Sequence, residues 1–254
     1  MEISAPEPSD DTMLAYLQAE QKNGYYFDSK RYGKDLEDVT LIAISGPTAA
    51  GKSTLVRAAS EAHDIAQLQS SMTRSMEDRD AHEPHHRFEV PLQEFYDAVA
   101  QRSIVNFFVN RNNHVYGTFT SGFSKPLTIG AIGVDTLEQL GNAGFRDVRA
   151  LYTVMSGEDY AARLGLDRIH QADIVPRLHE GLDSLDFAER NLQHAWLTPI
   201  RLSNEPGELE RAAEDVGKIS HHHSLQTLST YEAIRFIGEM RAVAQSALAR
   251  IALQ

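Results

Sequence analysis

The sequence has no cysteine among its 254 residues, and this absence excludes disulfides, cysteine-ligated zinc and thiol nucleophiles. Basic residues are also scarce, because 24 Lys and Arg stand against 36 Asp and Glu and give a formal net charge of −12. Such a chain lacks the spread of positive charge that neutralises nucleic-acid phosphates, so we expect no nucleic-acid partner. No apolar run approaches the roughly 20 residues of a membrane span, and the start MEISAPEPSDDT lacks a basic-then-apolar signal pattern. We therefore expect a cytoplasmic protein with no membrane partner.

Apolar runs and amphipathic stretches alternate along the middle of the chain. Continuous apolar runs of about four to eight residues are typical of buried parallel strands, and longer periodic stretches are typical of helices. Strands are predicted at Val39 to Ser45, Ile104 to Val109, Leu127 to Ile132, Val148 to Val154 and Pro199 to Leu202, and helices near Leu92 to Gln101, Asp135 to Asn142 and Glu158 to Leu164. This alternation predicts an α/β fold with a sheet flanked by helices.

The strongest motif is an octapeptide that directly follows the first predicted strand. It reads Gly46-Pro47-Thr48-Ala49-Ala50-Gly51-Lys52-Ser53, a complete G-x-x-x-x-G-K-S, with a helix predicted to begin near Lys52. Its glycines let the backbone curl so that successive N–H groups face an anion, and the helix N-terminus adds positive potential. Such a loop binds ATP, with the lysine on the β- and γ-phosphates and the serine hydroxyl on Mg²⁺. The candidate ATP-binding residues are Gly46, Ala49, Ala50, Gly51, Lys52, Ser53 and Thr54. The alternative is a strand-to-helix turn that binds no ligand.

A second set of residues follows the octapeptide in a fixed order. Ser70-Ser71-Met72-Thr73-Arg74 comes first, then Phe88, then Val115-Tyr116-Gly117-Thr118. Together with the glycine-rich loop, their order and approximate spacing resemble the guanylate kinase family over about residues 39–219. In that family an S-x-T-T-R-x-P-R segment, a Y-x-F and a Y-G-T or Y-G-S hold the acceptor nucleotide. The resemblance implies a P-loop fold with a parallel sheet, a small acceptor-binding insertion and a helical lid, and it implies phosphoryl transfer with ATP and Mg²⁺.

The resemblance assigns acceptor-binding roles to individual residues. Ser70 and Arg74 fall on the family's acceptor-phosphate serine and first arginine, and Tyr116 falls on the tyrosine that contacts the same phosphate. An arginine suits this role because its guanidinium binds a phosphate dianion bidentately. Thr118 falls on the small hydroxyl residue that contacts the base.

Other positions depart from the family pattern. Glu77 stands where the family has its second arginine, and a carboxylate there repels a phosphate. Arg79 or Arg87 could supply the missing positive charge from a shifted loop, and His86 replaces the tyrosine of Y-x-F. With one insertion allowed, Asn106 replaces the acidic residue that reads the guanine edge. An amide donates as well as accepts hydrogen bonds, whereas a carboxylate only accepts, so the sequence predicts an altered acceptor specificity.

The donor side keeps more of the family pattern. Arg163-Leu164, Arg168 and Ile174-Val175-Pro176-Arg177 resemble the lid, whose arginines close over the transferring phosphoryl group and offset its charge. The resemblance therefore makes Lys52, Arg163 and Arg177 candidate catalytic residues and Arg168 a candidate ATP-binding residue. A helix with exposed arginines is the alternative. Asp135 lies near the family's D-x-D aspartate, and it either joins Ser53 in the Mg²⁺ shell or caps the next helix.

These assignments divide the chain into three parts. Residues 1–38 form an N-terminal tail and a short helical extension, and residues 39–219 form the P-loop kinase-like domain, with its acceptor-binding region at 68–120 and its lid at about 157–185. Residues 220–254 form a C-terminal amphipathic helix, since Ile237, Met240, Ala244 and Ile251 recur at helical spacing. We expect this helix to dock on the core or on a second subunit, which makes a homodimer possible.

The motifs favour ATP-dependent phosphoryl transfer to a small phosphorylated acceptor, and two alternatives remain. Glu77, His86 and Asn106 would also suit a kinase for a non-nucleotide metabolite such as a sugar phosphate. A catalytically inactive, guanylate-kinase-like interaction module would explain the departures and the added helix, but it has no use for a complete phosphate loop. Two histidine groups, 82–86 and 221–223, could bind a metal, yet without cysteine or a helical H-x-x-x-H a solvated loop and a linker are favoured.

Overall fold

The secondary structure is given by a computed structural model that describes residues 8–75, 86–164, 171–194, 196–221 and 228–253, apart from the side chains of residues 138 and 171–173. The strands are β1 (Thr40–Ser45), β2 (Ala66–Gln67), β3 (Ser70–Met72), β4 (His86–Arg87), β5 (Ile104–Val109), β6 (Val115–Phe119), β7 (Leu127–Ala131), β8 (Asp147–Val154) and β9 (Leu197–Arg201). The helices are α1 (Asp10–Lys22), α2 (Ser29–Tyr32), α3 (Lys52–His63), α4 (Leu92–Ala100), α5 (Leu137–Gly141), α6 (Gly157–Leu164), α7 (Gln171–Asn191), α8 (Glu208–His221) and α9 (Thr230–Ala252). Within these described residues the chain forms two compact units.

The larger unit, built from 38–68, 124–137 and 146–254, contains a five-stranded sheet. Its strand order is β2-β7-β1-β8-β9, and every neighbouring pair is parallel. All six residues of the central strand β1 are buried, as its continuous apolar sequence requires. Around the sheet α3 packs on α8, and α9 packs on α6 and α7. The predicted α/β class with a parallel sheet flanked by helices is confirmed.

The position of β1 in the sheet places the glycine-rich octapeptide at the edge where parallel sheets bind ligands. In open parallel sheets, ligands bind beyond the carboxyl ends of the strands, where the connections leave the sheet. The glycine-rich octapeptide begins directly after β1, in the middle of this edge, and α3 starts at Lys52 as predicted.

The smaller unit, within 1–37, 69–123 and 138–145, contains a four-stranded sheet in the order β4-β3-β6-β5. Strands β3 and β4 are parallel, while β6 is antiparallel to both β3 and β5. Helix α4 packs on one face, where the rings of Phe95 and Phe119 lie 5.8 Å apart. The N-terminal extension belongs to this unit, since α1 packs on α4 and β5 and Tyr25 Oη donates to Ile104 O at 2.7 Å.

Helix α9 lies within the C-terminal segment 220–254 for which the sequence predicts an amphipathic helix. It begins at Thr230 because Ser229 and Glu232 form a capping box, whereas the preceding helix α8 extends to His221, across the predicted boundary. One face is buried, at Ala233, Phe236, Ile237, Met240, Ala244 and Ala247. That face packs on α6, α7, β8 and β9 of the same chain. The homodimer remains a prediction.

The predicted elements mostly agree with the structure to within two residues, but several elements were not predicted. The strand expected at Pro199 to Leu202 spans Leu197–Arg201 instead, and the helix expected near Asp135 to Asn142 is the five-residue α5. Elements that the sequence analysis did not predict include strands β2, β3, β4 and β6 and helices α2 and α8. None of the helices in the described ranges is long and apolar enough to cross a membrane.

Candidate active site

The glycine-rich loop begins at a crowded point of the parallel sheet. Ser45, the last residue of β1, donates from Oγ to Ile132 O at 2.5 Å and accepts at its own carbonyl from Thr153 Oγ1 at 3.1 Å. Gly46 follows with φ of +150°, and a Cβ built on it would overlap Thr153 Oγ1. The loop therefore requires glycine here for both conformation and space.

The side chain of Lys52 closes the loop. Its Nζ donates to Gly46 O at 2.8 Å and to Pro47 O at 2.7 Å, so the first residue of α3 is tied to the beginning of the loop. Ala49 and Gly51 adopt positive φ values of +64° and +79°. Ala50 is buried, and its N–H donates to Pro47 O at 3.3 Å. The curled backbone expected from the sequence is therefore present.

The first turn of α3 is the part of this loop best suited to an anion. Its N-cap is Gly51, which offers no side-chain cap, so the first amides of the helix have no side-chain acceptor from that position. Ser53 and Thr54 lie on this turn with exposed side chains. A helix N-terminus with a nearby lysine attracts phosphate because both supply positive potential.

Arg163 lies directly against this loop. A Cβ on Gly51 would overlap its Nη1 atom and would lie 3.3 Å from Leu202 Cδ1. The guanidinium donates from Nη2 to Ser203 O at 2.7 Å and from Nε to Asn204 Oδ1 at 2.5 Å. Burial lowers the pKa of Arg163, while the carboxylate of Asp159 opposes that shift. Arg163, which the sequence predicts to be a lid arginine, is thus held beside Gly51 of the glycine-rich loop.

Helix α7 approaches the loop from another direction. A Cβ on Gly181 would lie 3.7 Å from Pro47 Cβ and 3.9 Å from Thr48 N. Arg177 is one turn earlier, at i−4, so it lies on the same helix face and is half-buried. Arg168, the third predicted lid arginine, lies outside the described residues.

Asp135 lies at the same sheet edge as the loop. Strands β1 and β7 are parallel neighbours, and Ile132 N donates to Ile44 O at 2.9 Å, so the chain after β7 leaves beside the end of β1. Asp135 follows three residues later with an exposed side chain. Its location suits either predicted role, in a metal shell or at the start of α5.

Five of the seven residues predicted to bind the acceptor share one face of the four-stranded sheet. Cross-strand partners point to the same face, as do residues two apart along a strand. Asn106 is paired with Thr118, Phe108 with Tyr116, Tyr116 with Met72, and Ser70 with His86. Five predicted residues therefore share this face, which we call the acceptor face: Ser70, His86, Asn106, Tyr116 and Thr118. The opposite face, with Gly117 and Phe119, is covered by α4.

Two contacts fix side chains on the acceptor face. Ser70 Oγ and His86 Nδ1 are 2.6 Å apart, within hydrogen-bond distance. The rings of Phe108 and Tyr116 are stacked with centroids 4.9 Å apart and an interplanar angle of 9°. The departure at His86 therefore provides a partner for the predicted phosphate-binding serine.

Asn106 is the most unusual residue on the acceptor face. It is 5% exposed and Thr118 opposite it is 2% exposed, yet Asn106 Oδ1 has no hydrogen-bond partner among the residues that the structure describes. A buried carbonyl oxygen that accepts no hydrogen bond lowers the stability of a fold by about 1 to 3 kcal/mol. Such atoms are therefore uncommon in native structures unless they serve a function. A ligand that donates a hydrogen bond to this atom would remove the cost.

Arg74 lies two residues beyond β3 and is only 6% exposed. Its backbone carbonyl accepts from Glu89 N at 3.1 Å. Buried arginines are normally paired with an anion or with hydrogen-bond acceptors, which suits the predicted phosphate-binding role. Glu77 and Arg79 lie outside the described residues, as do His82 and His85.

Several residues that hold the candidate site in place were not predicted from the sequence. Thr153 packs against Gly46, Asn204 accepts a hydrogen bond from Arg163, and Phe108 stacks on Tyr116. None belongs to a local motif, because each reaches its partner from another strand or loop. In the part of the chain that the structure describes, no three His, Asp or Glu side chains are grouped to hold a metal ion.

A parallel α/β sheet with a G-x-x-x-x-G-K-S loop after its central strand defines the class, a P-loop-type α/β fold. The sequence is 32% identical to guanylate kinase from Sodalis glossinidius (strain morsitans) over 114 residues, 44% of this chain. This match confirms the resemblance to the guanylate kinase family that the motifs predicted.

The extent of these similarities is limited. The match covers 53% of the Sodalis enzyme, so the chain spans about half the length of the curated relative it matches. No family model matches. The crystal structure of guanylate kinase from Anaplasma phagocytophilum is similar over 83% of this chain and 99% of that chain, with 16% sequence identity and a TM-score of 0.43.

Proposed function

We propose that the protein is a P-loop kinase of the guanylate kinase family that transfers a phosphoryl group from ATP to a small phosphorylated acceptor. The observation that carries the proposal is the closed loop, with Lys52 on Gly46 O and Pro47 O and Arg163 against Gly51. The sequence match to a guanylate kinase supports nucleotide phosphoryl transfer as the reaction.

The residues of the loop fit the donor phosphates. Lys52 would exchange its two carbonyl acceptors for phosphate oxygens, and the first amides of α3 would add donors. Arg163 and Arg177 would offset charge on the transferring group, and no covalent nucleophile is needed, because this chemistry depends on positioning and charge neutralisation. The excess of acidic residues is compatible with this function because the required positive charge is concentrated at these few positions.

The loop also fits a magnesium ion. Ser53 presents an exposed hydroxyl in the first turn of α3, and Asp135 presents an exposed carboxylate at the same sheet edge. Oxygen ligands of this kind suit Mg²⁺, which usually keeps several waters and binds one or two protein oxygens besides the phosphates. When bound, the ion would neutralise charge on the donor phosphates.

The acceptor is proposed to bind on the acceptor face, with its phosphate at Ser70, Arg74 and Tyr116. Asn106 and Thr118 would contact the rest of the molecule. Because Asn106 offers one acceptor and one donor where the family has a carboxylate, we infer that the preferred acceptor differs from GMP. A base edge that pairs one donor with one acceptor matches this amide, whereas two adjacent donors do not.

Binding and turnover measurements test this function. Lys52→Ala is expected to weaken Mg²⁺-ATP binding at least about tenfold, whereas Lys125→Ala, which removes an exposed lysine paired with Asp64, leaves it unchanged. Unchanged ATP affinity in Lys52→Ala would contradict the kinase function. ADP release is then measured with nucleoside monophosphates and sugar phosphates as acceptors. Preferential turnover of GMP or dGMP would contradict the altered specificity alone.

A further inference from the structure

The C-terminal helix α9 contacts the start of the helix that carries Arg163. Gly157 N, at the first residue of α6, donates to Glu239 Oε2 of α9 at 3.0 Å. The two helices approach closely there, because a Cβ on Gly157 would lie 3.2 Å from Glu239 Cβ. Glu239 thus satisfies one of the amides that a helix leaves unpaired at its N-terminus, and its charge suits the positive end of the helix dipole.

A second set of contacts links the same helix start to Arg163. Asp159 N donates to Ser156 Oγ at 3.1 Å, and Ser156 Oγ donates to Asp159 Oδ2 at 2.9 Å. The other oxygen of Asp159 accepts from Asn204 N at 3.1 Å, and Asn204 Nδ2 donates to Asp159 O at 3.2 Å. Asn204 Oδ1 in turn accepts from Arg163 Nε. The position of Arg163 therefore depends on where the first turn of α6 is held.

Helix α6 is short, with eight residues from Gly157 to Leu164 inclusive. A shift of its first turn is carried directly to its last turn, because a single short helix moves as a rigid element. On α9, Glu239 is itself held by Arg235 one turn earlier, because Arg235 Nη1 donates to Glu239 Oε1 at 3.2 Å. The anchor thus lies on a long helix whose apolar face is buried against the sheet unit.

We propose that Glu239 is a positioning residue for Arg163, so that α9 forms part of the donor-binding machinery. This inference rests on the proposed function, because it assigns Arg163 to the donor phosphates. It gives the C-terminal helix a role within its own chain. Loss of the Glu239 carboxylate frees the start of α6, and Arg163 then spends less time against the loop.

The test is a double-mutant cycle on the full chain, with Mg²⁺-ATP affinity measured by calorimetry. Glu239→Ala is expected to weaken ATP binding between about 3-fold and 30-fold. Glu239→Gln keeps an oxygen acceptor for Gly157 N and is expected to recover most of the affinity. In an Arg163→Ala background, Glu239→Ala is expected to cause no further loss, because Glu239 affects ATP binding only through the position of Arg163. An equal loss in both backgrounds would overturn the inference.

Glu232→Ala is the matched control, because it removes a carboxylate from the same helix that caps only the start of α9. It is expected to lower thermal stability without changing ATP affinity. If Glu239→Ala does not fold, Glu239→Asp keeps the charge but shortens the reach to Gly157 N, and it is expected to weaken binding in the same direction.

Hydrogen exchange of the amides of residues 157–164, measured without nucleotide, provides a readout independent of ligand binding. Faster exchange in Glu239→Ala than in Glu232→Ala is expected, and equal exchange would overturn the anchoring role. If the wild-type protein binds no ATP, the proposed function fails, and the role of Arg163 fails with it. If the wild-type protein binds ATP and Glu239→Ala binds it equally well, the inference alone fails.

Discussion

Thr153 on β8 occupies the space that any side chain on Gly46 would need. Its Oγ1 donates to Ser45 O at 3.1 Å, which holds it against Gly46, the first residue of the glycine-rich loop. The neighbouring strand therefore determines the shape of the loop as much as the loop sequence does. Glycine at position 46 is required because of this contact and because of its φ of +150°.

Gly46→Ala is expected to destabilise the protein by about 2 to 5 kcal/mol, since it adds backbone strain to a steric overlap. The control is Gly207→Ala, where φ is +82° but no atom lies within 4 Å of the new Cβ. That variant has only the conformational cost of about 1 to 2 kcal/mol. In a Thr153→Ala background the cost of Gly46→Ala should fall toward the control value. Equal costs at the two glycines, measured by urea unfolding, would show that Thr153 imposes no constraint.

We predict that Asn106 contributes to binding of the phosphorylated acceptor but does not stabilise the fold. Asn106→Leu replaces a buried oxygen that has no donor with an apolar group of similar size. The free energy of unfolding is therefore expected to stay the same or to rise by up to about 2 kcal/mol. The KM for the phosphorylated acceptor should rise at least about tenfold, because the acceptor loses its hydrogen-bond partner, while the KM for ATP is unchanged.

A buried polar residue with a satisfied hydrogen bond provides the comparison for Asn106. Thr136 is 1% exposed, and its Oγ1 donates to Gly133 O at 3.0 Å. Thr136→Val should therefore lose about 1 kcal/mol of stability. If Asn106→Leu loses more than Thr136→Val, the oxygen of Asn106 serves the fold instead of a ligand.

Two helical glycines should respond in opposite directions to alanine. Gly238 on α9 is exposed with no atom within 4 Å of a new Cβ, so Gly238→Ala is expected to stabilise the protein by about 0.5 to 1 kcal/mol. At Gly217 on α8 the new Cβ would lie 2.5 Å from two atoms of the His63 ring. Gly217→Ala should therefore lose about 1 to 3 kcal/mol.

The role of His63 can be tested by removing its ring. In a His63→Ala background, Gly217→Ala is expected to become neutral or stabilising, because only the helix preference of alanine remains. Thermal unfolding of the four variants measures this interaction. A persistent loss in the His63→Ala background would mean that another group crowds Gly217.

The elements that the sequence predicts well are those with local causes. Strands β1, β5, β7 and β8 are short runs made mostly of apolar residues, and the loop at residues 46–53 is a contiguous motif. Helix α7 was harder to predict in full, because Pro176 and Gly181 lie inside it and both normally weaken helices. Its packing on α9 and against the loop overrides that preference.

The arrangement of the candidate site follows from contacts between distant segments. The pairing of Asn106 with Thr118 depends on strand register, which the sequence does not specify because the register shifts between Ile104 and Asn106. Strand β6 contains Gly117, a poor strand former, and it is held by β3 and β5 on either side. The docking of α1 on β5 likewise joins distant segments, as the hydrogen bond from Val109 N of β5 to Gln21 Oε1 of α1, 88 residues apart, illustrates.

Substitution of Ser53 or Asp135, whose oxygen-bearing side chains lie at the same edge of the parallel sheet, should change the magnesium dependence of ATP binding. Ser53→Ala is expected to weaken ATP binding about tenfold when Mg²⁺ is present and to leave it unchanged in EDTA, because only the metal contact is lost. Ser53→Thr keeps the hydroxyl and should restore binding.

Asp135→Asn isolates the role of the carboxylate, since asparagine caps a helix as well as aspartate but is a weaker ligand for Mg²⁺. A reduced magnesium dependence in this variant assigns Asp135 to the metal shell. Wild-type magnesium dependence, combined with a loss of thermal stability in Asp135→Ala, would instead assign it to the start of α5.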